Sequence, residues 1–357
     1  MTHHDQSEKK PEGHPSSRLN ILLATLTGPV SSTAFYEKAL RKRHNVVTFG
    51  PHRDGKFWRD SGEGLKGHAF YRPGSAEHWE DVCTRLAKPC DVVTPPGMVD
   101  LRELKTRLPK DFQPDLFIWM DTHEWNLPFY MEALDCPSVA VFGDTHLHML
   151  GNWEVWLSYA KVFDFVFVTF NKPHMRHFVE AGCRRVFWSP AACDAEAHGK
   201  IPADKIYPVS FVGGTSTLHP DRVKLLQYLQ KNGVDLYIDS RVLQDTALIF
   251  SRSKIVLNTT IADDLNMRVF EALASGSLVL TNRLSSESGL EELFVDRKHL
   301  VLYDQANILD LIHYYLDHDE EREKIATAGY AEALGKHTYE HRVDKIIQVV
   351  MEHVPHI

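Results

Sequence analysis

Asp263 and Glu271 stand eight residues apart in the stretch DDLNMRVFEALASGSLVLTN, residues 263–282. Read as a helix, residues 266–275 put Met267, Phe270, Leu273 and Ala274 on one apolar stripe, with Glu271 at its edge, where a carboxylate can face a crevice. Gly276 supplies the left-handed stop, and Ser277–Thr281 reads as a short buried strand. The spacing brings an acidic loop residue and an acidic helix residue together at the mouth of a parallel sheet. Carboxylates there accept hydrogen bonds from vicinal hydroxyls such as those of a ribose or a hexose. The same residues also admit an ordinary reading, with Glu271 paired to Arg268 on a solvated face and Asp263 as a helix cap.

Further polar residues gather at other strand ends. Gly213 and Gly214 precede a helix expected over His219–Lys231, so the backbone there can approach a diphosphate whose charge the helix N-terminus favours. Arg222 and Lys224 lie near that start, and Arg268 is a second phosphate candidate; Arg222 facing solvent is the ordinary alternative. Asp239, with Ser240 and Arg241, ends the strand Val234–Asp239, where a nucleotide base often docks. Asn258 ends the strand Ile255–Asn258, and Asn266 opens the helix of the acidic stretch; both count among the ligand-binding candidates. Earlier in the chain, Asp121, Thr122, His123 and Glu124 follow one apolar run, and Gly143 to His148 follow another. Asp144, His146 and His148 can be read as metal ligands of a hydrolase, joined by Asp121 or His123, although no HEXXH is present. Alternatively His146 or His148 lines a cleft and orients a reacting hydroxyl, or the segment is a capped turn with exposed histidines.

The elements that must position these residues alternate. Asn20–Leu26 is a strand, Thr33–Arg43 a helix capped by Ser31 or Ser32, and Asn45–Phe49 a second strand. Residues 50–100 are rich in Gly, Pro, His and Arg, lack periodicity, and read as an inserted loop region at the cleft. Asp115–Met120, Ser138–Phe142 and Phe163–Phe170 are apolar runs separated by helices expected near 127–134 and 149–160, and Arg184–Ser189 is a further strand. Such alternation argues for a parallel sheet covered on both faces, with ligands gathering beyond the carboxyl ends of its strands. Gly199, Lys200 and Pro202 break the pattern. It then restarts with Tyr207–Val212 and runs through helices near 286–294, 306–316 and 319–334 and a strand at His299–Tyr303, ending in the amphipathic segment Thr338–His353.

The 357 residues suit two domains, and 43% hydrophobic with 25% charged residues describe an ordinary globular chain. A net charge of −8 gives no reason to expect nucleic acid or an anionic membrane as a standing partner. Five cysteines without a CxxC pair suggest neither a disulfide framework nor a zinc ribbon, and the cytoplasm is the expected compartment. The polar N-terminus has no signal peptide, and no apolar run is long enough to span a membrane.

LNMRVFEALASGSLVLTNR, the GLEELF segment at 289–294, YYLDHDEEREKIATAGYAEAL and HTYEHR resemble the C-terminal half of the CgeB-like glycosyltransferases. The resemblance is dense over 205–345 and looser over 115–195, where FDFVFVTF and VFWSPAACDAEAH match. It implies an α/β, GT-B fold in which two Rossmann-like domains face each other across a cleft: a disordered tail (1–18), an acceptor domain (19–198), a nucleotide-sugar domain (199–337) and a closing helix that packs back on the first (338–357). The implied activity is transfer of a hexosyl unit from a nucleotide-diphosphate sugar to a hydroxyl or amine of an acceptor, a saccharide, protein or small molecule. Retention and independence of metal are expected, with no cofactor. Related families carry E-x7-E. Glu271 matches its second member and would hold the ribose; Asp263, one methylene shorter than the usual Glu, matches the first and would hold the donor sugar. Arg222 and Arg268 would hold the diphosphate, and His146 or His148 would face the transferred sugar. The rivals are the metal-dependent hydrolase and a non-catalytic module that binds a sugar nucleotide.

Overall fold

The computed structural model describes residues 18–26, 28–121 and 123–354, apart from the side chain of His123. The tail expected over 1–18, except Arg18, and the candidate Thr122 lie outside the described residues, as does the side chain of His123. The strands before residue 190 are β1 (Asn20–Ala24), β2 (Asn45–Gly50), β3 (Val92–Val93), β4 (Gly97–Asp100), β5 (Leu116–Met120), β6 (Asn126–Phe129), β7 (Ser138–Phe142), β8 (Phe165–Val168) and β9 (Val186–Trp188). They are followed by β10 (Tyr207–Val212), β11 (Leu236–Asp239), β12 (Ser253–Asn258), β13 (Leu278–Asn282) and β14 (Val301–Tyr303). One sheet runs β3-β2-β1-β5-β7-β8-β9 and the other β11-β10-β12-β13-β14, with every pairing parallel; β4 and β6 form a small ladder of their own.

Strands such as LFIWM and SVAVF are buried along their whole length because helices cover both faces. Alternate residues then serve opposite cores. Ile21 and Leu23 of β1 join one cluster while Leu22 and Ala24 join the other, and in the second sheet Val256 opposes Ile255 and Leu257. The helix Tyr339–His353 contributes Tyr339, Val343, Ile346, Ile347 and Val350 to the core of the first sheet. Its buried Arg342 donates to the carbonyls of Pro190 (2.8 Å) and Ala191 (3.0 Å), so it fastens the segment that leads from one sheet to the other.

Three expectations are corrected. The helix expected near 127–134 is β6 followed by the single turn Met131–Ala133. Asn126 is buried there, with its amide donating to the carbonyls of Thr25 and Phe49 at 3.0 Å each, while left-handed backbone at Tyr130 and Asp135 breaks any helical run. The helix expected over 286–294 shrinks to the turn Leu290–Leu293. Residues 50–100 are not loop: the helices Gly55–Gly64 and Ser75–Leu86 pack on each other. Between them, residues 68–75 strap the second sheet. The amide of Ala69 donates to Thr215 O (3.0 Å), Arg72 bonds Ile238 O and covers the Tyr237 ring at 4.2 Å, and Ser75 Oγ donates to Asp239 at 2.8 Å. Among the described residues no helix is long and apolar enough to cross a membrane.

Arg342 also donates to Nδ1 of the buried His337, whose pKa is pulled from 6.5 down to about 4 by burial and then by the Arg342 charge. Unfolding restores the ordinary value, so the unfolded chain binds the extra proton first. The contribution is full above about pH 6.5 and is lost as pH falls toward 4. His337→Gln, which keeps an acceptor for Arg342, should flatten the acid limb of denaturant midpoint against pH; an unchanged slope would show that His337 is not one of its sources.

Candidate active site

A cavity of about 570 Å³ opens at the carboxyl ends of both sheets. Leu26 and Ser31 after β1, Asp121 after β5, Gly143, Asp144 and His146 after β7 and Phe170 after β8 form one wall. Opposite stand the segment 261–266 after β12 and the helix Met267–Ala274. Strand ends that point the same way leave a crevice there, because each chain turns back over a different face of its sheet.

Two guanidinium groups form the floor. Arg222, 8% exposed, donates to Gly214 O and Thr259 O at 3.0 Å each, with its Nε unpartnered. Arg268 donates to Asn258 Oδ1 at 3.1 Å, lies against Gly213, and sits over Phe211 at 4.9 Å. Among the described residues neither has a carboxylate within 4 Å. Burial is the first cause lowering both pKa values, that of Arg222 to about 10 with help from the neighbouring Arg268 charge. Both remain cations at neutral pH, so the floor holds two positive charges, one buried and one half-buried. The helix Met267–Ala274 adds its N-terminus. Asn266 stands at the cap and lines the cavity, but its side chain does not cap the helix, and its Oδ1 is buried without a partner among the described residues. Anions are favoured at such a place.

The carboxylates are arranged differently from the sequence expectation. Glu271 lines the cavity as expected. Asp263 does not: its oxygens take the amide of Ser285 at 2.8 Å and the Ser285 hydroxyl, on the exposed side. The reason is backbone conformation. Ala262 and Asp263 are both left-handed (φ 51° and 57°), which turns Asp263 outward and Asp264 inward. Asp264 is buried and lines the cavity; burial raises its pKa, against the Ile261 amide at 2.8 Å and the nearby His146.

The histidines separate too. His146 lines the cavity, its Nδ1 3.4 Å from Asn171 Oδ1. His148, on the turn Thr145–Met149, points into the first sheet's core against Trp156 (4.3 Å between rings), with Nε2 2.7 Å from Asp121 Oδ2. It holds Asp121, which also accepts from the Gly143 amide at 3.1 Å. Asp144 and His146 therefore face the cavity while His148 does not. Among the described residues no group of three or more His, Cys, Asp or Glu is placed to hold a metal ion. Asp239, 1% exposed, is likewise not at the cavity. Burial raises its pKa, but bonds from Tyr237, Ser75 and the Ser240 amide and the Arg241 charge outweigh it, leaving the group below its ordinary value. The strap 68–75 occupies the place where a base was expected. Asn258, fully buried, acts through Arg268 and bonds Thr281 at 3.0 Å. Neither Gly213 nor Gly214 is among the residues lining the cavity; Gly214 faces the rings of His68 and His219.

Residues 222–348 match the family model described as glycosyl transferase-like. No curated protein matches the chain in sequence. Among solved structures, Anabaena HepE in complex with UDP-glucose superimposes with a TM-score of 0.58 at 14% identity, over 94% of this chain and 100% of that one. An alpha-glucosyltransferase in complex with UDP-glucose and DNA containing an abasic site gives 0.60 at 10%, over 94% and 100%. Sucrose-phosphate synthase from Thermosynechococcus elongatus gives 0.57 at 10%, over 95% and 100%.

The fold is GT-B.

Within this GT-B cleft, sequence reasoning missed Asp264, Asn171 and His219. Asn171 joins His146 to the Ala262 carbonyl (3.3 Å), and Leu265 donates to Phe170 O (2.9 Å), so the two walls share hydrogen bonds. His219 lines the cavity at the start of the helix Pro220–Lys231, with Nδ1 buried and without a partner among the described residues. Its place directly before the Pro that opens the helix was the available signal; for Asn171 there was none.

The two glycines should separate on substitution. A Cβ at Gly213 would lie 2.1 Å from Arg268 Nη2, whereas one at Gly214 would meet nothing closer than 3.7 Å. Gly213→Ala should lower stability by about 1–3 kcal/mol as the guanidinium is displaced, and Gly214→Ala should change it little. Equal denaturant midpoints for the two variants would contradict the packing described.

Proposed function

We propose that this protein is a glycosyltransferase that moves a hexosyl unit from a nucleotide-diphosphate sugar to an acceptor hydroxyl or amine. The observation that carries the reading is the pair of guanidinium groups at the cavity, Arg222 buried and Arg268 half-buried without a carboxylate partner among the described residues, beside an uncapped helix N-terminus, with Glu271 one turn beyond Arg268. A diphosphate supplies two negative charges to that floor, Glu271 accepts from the ribose hydroxyls, and Asp264 takes the role for the donor sugar that the sequence assigned to Asp263. His146, across the cleft, faces the transferred sugar. The glycosyl transferase-like match, which spans both arginines and Glu271, supports the reading, as do the UDP-glucose complexes of similar fold. The CgeB-like branch is our narrower assignment. The five cysteines are free thiols, in keeping with a reducing cytoplasm.

As the glycosidic bond breaks, charge grows on the departing diphosphate. Guanidiniums held in place at that floor therefore stabilise the transition state more than the bound donor. This is the work a divalent cation does in other phosphate sites. Transfer without a required metal is the chemistry proposed on this ground, and retention of anomeric configuration is proposed from the resemblance to families that carry an acidic pair. The acceptor enters from the wall formed by the first sheet.

A panel of nucleoside diphosphates should raise the thermal midpoint of the wild type, with one base preferred. Arg268→Ala should weaken that diphosphate at least about tenfold by calorimetry, the loss of a hydrogen bond to a charged group. Unaltered affinity would remove the phosphate assignment. EDTA-treated protein should keep its transfer rate with an identified donor; a rate restored only by added Mg²⁺ or Mn²⁺ would show that the arginines do not suffice.

A further inference from the structure

Glu271 has a neighbour that its proposed role does not account for. His198 ends the turn Ala195–His198, in the segment joining the two sheets, and is 4% exposed. Its Nε2 lies 3.5 Å from Glu271 Oε1, whose side chain keeps 19% exposure toward the cavity.

The ring has little freedom. The backbone amide of Asp194 donates to Nδ1 at 3.0 Å, so that nitrogen carries no proton and the neutral ring bears its hydrogen on Nε2, the atom nearest Glu271. Phe35, from the helix Ser32–Arg43, meets the ring edge-on at 4.9 Å. Asp194 is fixed in turn. One of its oxygens caps the turn, taking the amides of Glu196 (3.1 Å) and Ala197 (2.8 Å), and the other pairs with Lys38 at 2.8 Å. Residues of the first half therefore set the orientation of a histidine that touches a carboxylate of the second.

We propose that His198 is a positioning residue for Glu271: its Nε2–H holds Oε1 and leaves Oε2 to accept the vicinal hydroxyls of the donor's ribose. The inference rests on the transferase reading and deepens it. A carboxylate on a helix ordinarily samples several rotamers, and holding one in advance removes that ordering cost from binding. Because His198 belongs to the joining segment and is braced by Phe35 and Asp194, the grip on the ribose depends on how the two halves sit together.

The test titrates UDP, GDP and ADP into the full chain and follows the diphosphate that the wild type binds best. His198→Phe preserves the packing on Phe35 and removes the donor. It should weaken that diphosphate about tenfold and raise the donor KM similarly, with kcat within about threefold, because pre-organisation acts on binding. His198→Gln, which restores an N–H donor, should recover most of the loss and serves if the Phe variant folds poorly. In a Glu271→Gln background, His198→Phe should have no further effect. The same loss in that background would mean that His198 only supports the fold, and unchanged affinity in His198→Phe would overturn the proposal while leaving the transferase reading standing. Failure of the wild type to bind any of the three would overturn both.

Discussion

Two neighbouring like charges withdrawn from water, Arg222 fully and Arg268 in part, are the feature on which the cleft depends. Removing a guanidinium from water costs several kcal/mol even after relaxation, and a second one nearby adds repulsion. Backbone and amide oxygens offset part of this: Arg222 has the carbonyls of Gly214 and Thr259, and Arg268 has Asn258. These are dipoles and leave the net charge in place. The chain has stabilised an arrangement that an entering dianion relieves, and the helix Met267–Ala274 points its unsatisfied N–H groups at the same place. The neighbouring geometry follows from that constraint. Gly213 lacks a side chain where Arg268 passes, and Phe211 offers both cations an aromatic face.

The second requirement is that the walls stay in register. The proposed transfer needs the two walls of the cleft at a fixed separation, and parallel sheets with separate cores do not provide it alone. Three connections do. The strap 68–75 bonds to the second sheet at Thr215, Ile238 and Asp239. Asn171 and Phe170 bond to the loop after β12. The helix Tyr339–His353 returns to the first core while Arg342 holds the joining segment. Ion pairs such as Lys172 with Glu292 also cross, but exposed pairs contribute little compared with buried hydrogen bonds.

Much of the architecture was legible in the sequence because its signal is local. Runs such as NILLA, LFIWM and KIVLN admit only buried strands, and the stripe through Met267, Phe270 and Leu273 admits only a helix laid on a sheet. What failed was set by distant contacts. The 127–134 segment has helical residues, yet Asn126 is drawn into the first sheet by carbonyls of Thr25 and Phe49, and the chain extends. Residues 50–100 hid two helices because they pack mainly on each other and carry many Gly, Arg and His. In the site, Glu271, Arg268, Arg222, Asn266 and His146 were found at the cavity, since helix periodicity and strand ends place them. His148 and Asp239 were not, since burial by Trp156 and by the strap is invisible in a linear reading.

The acidic pair shows where such reading stops. Spacing of eight residues has meaning only if the backbone between the two members is regular, and regularity begins at Met267. Upstream, two successive left-handed residues reverse which side chain faces inward, so the neighbour of the expected residue reaches the cavity. The exchange alters the chemistry. Asp263 is held by Ser285 at the surface, whereas Asp264 is buried at the cavity, where burial raises its pKa against the Ile261 amide and the His146 charge. Under the proposed function, the cavity carboxylate that can accept from a hydroxyl of the donor sugar is therefore Asp264 rather than Asp263.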